Sequence, residues 1–99
     1  MYELEYLQIA RLDILEAEVF LYEHNPQSSD NFVAAIEKQE AYLVNQPYMF
    51  PVYEARPCFR MMPLPYKYLC FYHICDISMT VTVHRILHCM RDISNISLI

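Results

Sequence analysis

The sequence predicts an α+β domain of order β-α-α-β-β-β, a helix hairpin packed on one face of a mainly antiparallel sheet. Three observations carry this. Residues 9–45 keep helical apolar spacing with one break, at Asn25-Pro26. Residues 58–88 read almost wholly as strands, with the apolar and aromatic run YKYLCFYHIC at their centre. The chain has no glycine but six prolines among its 99 residues, so its direction changes fall where proline, Asn or Asp stand. One domain spanning 1–99 is expected, and a content of 56% hydrophobic against 19% charged residues excludes a disordered chain.

Residues 2–7 alternate loosely and suit a first strand. Residues 9–24 lack proline and carry two apolar stripes at helical spacing: Ala10, Ile14, Ala17 and Leu21, then Leu12, Leu15, Val19 and Tyr22. Such a helix has two faces to cover, one on the sheet and the other on a neighbouring helix or a partner chain. Asn25 ends this helix and caps the next, with Pro26 at the first helical position, where a missing N–H costs nothing. The second helix runs to about Asn45, with Phe32, Ala35, Ile36, Gln39 and Leu43 on one face. Pro47 and Pro51 break the pattern. Strands then follow over 58–64, 66–75 and 79–88, with Asp76-Ile77-Ser78 as a hairpin loop.

Strict alternation along the last strand would send Val81, Val83, Arg85 and Leu87 to one face and Thr80, Thr82, His84, Ile86 and His88 to the other. If the helices cover the valine face, the far side of the sheet is bare and shows His84 and His88. Arg85, among aliphatics, either holds an anion, snorkels to the sheet margin or pairs with a helix acid such as Glu16 or Glu18.

The net charge is −5, which argues against nonspecific nucleic-acid binding. The distribution is uneven. In residues 1–50, Arg11 and Lys38 face nine carboxylates, a net of −7; residues 51–99 hold five Arg and Lys against three carboxylates, a net of +2. The acidic start is no signal peptide, and no apolar run nears the ~18 residues of a membrane helix, so a cytoplasmic protein is expected. Cys58, Cys70, Cys75 and Cys89 contain no CxxC pair, and buried, reduced thiols are expected in place of a metal site.

Three segments resemble the RelE/ParE toxins of bacterial type II toxin–antitoxin modules, the plasmid stabilisation family. They are ARLDILEAEVFLYEHNP with NFVAAIEKQEAYLVNQP, then CFRMMPL with YLCFYHI, and VTVHRILHCMRDI. The likeness spans nearly the whole chain and implies a toxin that arrests growth when free of its antitoxin. RelE-like members cleave messenger RNA in the ribosome, and ParE-like members inhibit DNA gyrase; an antitoxin helix or extended segment wraps the toxin. A third reading is an inactive member that only binds its partner.

For a metal-independent endoribonuclease with no cofactor, His88 would act as acid or base, and Arg60, Arg85 and Arg91 would hold phosphate. Lys67, Tyr66, Tyr68 and His84 would bind substrate, with a tyrosine stacking on a base. Leu12, Leu15, Val19 and Tyr22 would meet the antitoxin. The sequence departs from the nuclease pattern at Leu69 and Cys89, where arginine and glycine are usual, and in its apolar ending SNISLI. The Leu-His-x-x-Arg-Asp ending of residues 87–92 is closer to the ParE branch.

Overall fold

The computed structural model describes residues 1–90. Elements follow in the expected order: β1 (Glu3–Tyr6), α1 (Gln8–His24), α2 (Pro26–Asn45), β2 (Phe59–Leu64), β3 (Tyr68–Cys75) and β4 (Thr80–His88). Short 3-10 turns occupy Pro47–Met49 and Pro65–Lys67. The helix junction is a single residue. Asn25 is extended, its N–H closes α1 on Leu21 O, and its side chain accepts from Gln27 N–H at 3.0 Å.

The sheet order is β1-β4-β3-β2, antiparallel except for β1, which runs parallel to β4. The helices cover one face. Ala10, Ala17 and Leu21 of α1 and Phe32, Ile36 and Leu43 of α2 pack on Met62, Leu64, Tyr68, Cys70, Tyr72, Val81, Val83 and Ile86. Thus the first stripe of α1 is buried and the second is left outside.

Two features depart from the simple alternation. In β4 the register jumps from Val83 opposite Tyr72 to Arg85 opposite Phe71, so His84 is an extra, bulged residue. The bulge reverses the phase of the strand. Ile86 joins Val81 and Val83 in the helix-side core, whereas Leu87 joins Phe59 and Phe71 on the opposite face. His88 therefore lies on the helix side, not beside His84.

The far face is also not bare. Residues 51–58 fold back on it: Val52 bridges Arg60, Tyr53 N–H donates to Phe59 O, and the Tyr53 ring stands 5.1 Å from Phe71. Tyr53, Met61 and Leu69 close a second small core around Phe59, Phe71 and Leu87. Two large aromatics on that face would otherwise remain wet, at a cost of about 1.5–3 kcal/mol each.

The lack of glycine has a visible consequence. Tyr66 (φ 63°), Lys67 (φ 65°) and Met79 (φ 53°) occupy the left-handed region at the turns bounding β3. None is Asn or Asp, so each carries strain on the order of 1 kcal/mol.

Candidate functional site

β1 pairs with β4 only as far as Val83, where Leu7 N–H donates to Val83 O. Beyond it, α1 supplies a carboxylate in place of a strand. Asp13 Oδ2 accepts from Ile86 N–H at 3.0 Å and from Arg85 Nε at 2.8 Å, and Oδ1 accepts from Arg85 Nη2 at 3.1 Å. Asp13 is buried and Arg85 nearly so, making a bidentate pair that fastens α1 to the bulged end of β4. Arg85 is thus engaged by the fold through Nε and Nη2, and its partner is Asp13 in place of Glu16 or Glu18.

Arg60 is also engaged. Nη1 donates to Phe50 O at 2.7 Å and to Tyr48 O at 3.2 Å, and the guanidinium lies 4.9 Å from the Tyr48 ring centre. It fixes the end of the 3-10 turn against β2. In register, Arg60 faces Tyr72 and His88 faces Tyr68, four residues apart along β3 and two strands apart across the sheet. At about 3.3 Å per residue and 4.8 Å per strand, their Cα atoms are roughly 16 Å apart. The two stand well apart along the sheet.

Tyr68 is 3% exposed, with Phe32 at 5.0 Å on one side and His88 at 5.2 Å on the other, so it cannot stack on a nucleobase. His88 Nδ1 accepts from Met90 N–H at 3.2 Å. The exposed Tyr66 and Lys67 stand at the same end of the sheet, where Cys89 N–H donates to Lys67 O and Asn31 donates to the Tyr66 hydroxyl. His84 lies on the opposite face, 4.8 Å from Phe59 and 6.3 Å from His73, with Arg56 5.6 Å from the Phe59 ring. Arg91 lies outside the described residues.

One exposed stripe is apolar. Leu12, Leu15, Val19 and Tyr22 on α1 are 48–62% exposed, and shallow grooves beside Leu15 and Val19 are walled by Glu16, Glu18, Glu23, Phe20 and Tyr22. At the other end of the molecule, Tyr2 and Tyr48 both donate to the Asp76 carboxylate. These bonds hold Asp76 below the usual carboxylate range and push the Tyr2 phenol up to about 12. Burial pushes the Cys70 thiol up to about 12, whereas hydrogen bonds from Ser78 lower that of Cys75. Among the described residues, no group of three His, Cys, Asp or Glu side chains is placed to hold a metal ion.

Asp13, His73 and Arg56 stand in no motif that marks them as functional. Asp13 alone had a signal: it stands three residues after Ala10 and four before Ala17, a carboxylate within the buried stripe.

A two-helix hairpin on one face of a β1-β4-β3-β2 mixed sheet is the architecture of the RelE/ParE superfamily of toxins. The family profile "ParE toxin of type II toxin-antitoxin system, parDE" matches residues 4–93, and the chain belongs to that family. Two solved structures share the fold. One is a chain of the chromosomal ParDE toxin–antitoxin system from P. aeruginosa, 17% identical with a TM-score of 0.69, covering 89% of this chain and 96% of that one. The other belongs to the RelBE2 toxin–antitoxin complex from Mycobacterium tuberculosis, 20% identical with a TM-score of 0.61, covering 88% and 96%. A search of curated proteins gives no significant match.

Proposed function

We propose that this protein is the toxin half of a type II toxin–antitoxin module of the bacterial cytoplasm, and that it arrests growth by ParE-like inhibition of DNA gyrase through protein contact. The observation that carries this reading is the fate of the cations: Arg85 is bound to Asp13, Arg60 holds two backbone carbonyls, and His88 is about 16 Å from Arg60. Cleavage of RNA without a metal needs an acid–base pair and cations converging on one phosphate. Among the described residues these groups diverge. Match to the ParE profile supports the same branch. The partner is an antitoxin, which we place on the exposed stripe of α1.

A ribosome-dependent nuclease is the second reading, and one observation favours it: His88, Tyr66 and Lys67 gather at one end of the sheet. Induced expression with separate readouts of translation and plasmid supercoiling tests the choice. Gyrase inhibition predicts loss of negative supercoiling with transcripts intact. Cleaved transcripts with normal supercoiling would favour the nuclease, and normal growth would leave only a binding partner.

A further inference from the structure

The exposed stripe of α1 has a particular spacing. Leu12, Leu15, Val19 and Tyr22 follow each other by three, four and three residues, which is the a-d-a-d pattern of two heptads. All four face away from the buried stripe of Ala10, Asp13, Ala17 and Leu21. With Leu12 at a, the e positions are Glu16 and Glu23, and the g positions are Arg11 and Glu18. An a/d-only stripe flanked by charges is a coiled-coil seam and not a globular packing face. From Leu12 to Tyr22 it runs about 15 Å, three turns of helix, on a scaffold the sheet already holds rigid.

We propose that this seam docks a partner helix with its own a/d apolar seam and with Lys or Arg at its e and g positions. Charges at e and g select partners in coiled coils, and here three of the four are carboxylates. A second copy of the chain is the poorer occupant. Paired in parallel, it sets Glu18 against Glu23 and Arg11 against Glu16; paired antiparallel, it sets Glu16 against Glu23 and Arg11 against Glu18, so repulsion and attraction cancel. A basic partner is attracted at all three glutamates and repelled only at Arg11, and the whole N-terminal half of the chain, at −7, attracts it. This rests on the reading that the chain is a toxin whose partner is an antitoxin, and it assigns the chemistry of that antitoxin's docking helix.

The probes are two synthetic helices with leucine at every a and d, one carrying lysine and the other glutamate at e and g. Their binding to the full chain is followed by fluorescence anisotropy. The lysine helix is expected to bind at least tenfold tighter than the glutamate helix. Val19→Asp weakens it at least tenfold, and the triple variant Glu16→Lys, Glu18→Lys, Glu23→Lys reverses the preference. Glu37→Lys, an exposed position on α2, changes neither. All the seam positions lie outside the buried set, so the variants keep the wild-type circular dichroism. Equal binding of both helices, binding of neither, or equal sensitivity to Glu37→Lys overturns the proposal. So does a dimer of the chain alone that Val19→Asp dissociates. Growth arrest by a chain whose seam fails these tests removes the seam and leaves the toxin reading. Charge-selective docking by a chain that arrests nothing removes the toxin reading and leaves the seam.

Discussion

Replacing Asp13 by alanine removes one side chain and strands three donors: Arg85 Nε, Arg85 Nη2 and Ile86 N–H. The guanidinium would remain largely buried at the foot of α1 with its counterion gone, a loss of about 3–5 kcal/mol by the behaviour of broken buried pairs. For a chain of this size that lowers Tm by roughly 14–24 °C. Asp13→Asn retains an acceptor for Ile86 N–H and falls between the two. The double variant Asp13→Ala, Arg85→Met is informative, because it replaces the pair with apolar groups and restores most of the loss. The assay is thermal unfolding of all four proteins by near-UV and far-UV circular dichroism. A loss below about 1 kcal/mol for Asp13→Ala, the size of an exposed pair, would refute the assignment of Arg85 as a buried structural cation.

Further outcomes are expected. Tyr68→Ala costs about 3–5 kcal/mol in denaturant unfolding, because it opens a cavity between Phe32 and His88, whereas Tyr66→Ala, at an exposed position, costs under 1. Met79→Gly, at an exposed left-handed position, gains on the order of 1 kcal/mol, about 5 °C in Tm. Asp76 has a depressed folded pKa, so its contribution is complete above the unfolded value of about 3.9 and is lost as pH falls through the folded one. The stability gap between wild type and Asp76→Asn should accordingly be full at pH 6 and close in strong acid. Alkylation with iodoacetamide at pH 8, read by mass spectrometry, should modify Cys75 and the exposed Cys58 in the native protein and Cys70 only after denaturation.

The element order was legible because its punctuation is local. Asn25-Pro26 states a stop and a start within two residues, and the apolar run of β3 fits a covered central strand. The faces of β4 were not legible beyond Val83. A bulge is a property of two paired strands, and nothing in VTVHRILH alone announces that His84 is the surplus residue. That one slip moved Ile86, Leu87 and His88 to the opposite faces and undid the picture of His84 beside His88. Tyr68 failed for a related reason: tyrosine's amphipathic ring serves core and surface alike, and only the position of Phe32 decides. The back-folding of residues 51–58 was hidden because a bridge of one residue pair, Val52 to Arg60, leaves no periodic trace. The outer stripe of α1 was readable as a stripe. That it stays uncovered depends on where α2 lies.

The most direct test of action by contact is supercoiling of relaxed plasmid by purified gyrase, with the wild-type protein and with His88→Ala. The account predicts inhibition by both at similar concentrations, since no imidazole chemistry is involved. Unimpeded gyrase, together with ribosome-dependent cleavage of messenger RNA that His88→Ala abolishes, would contradict it.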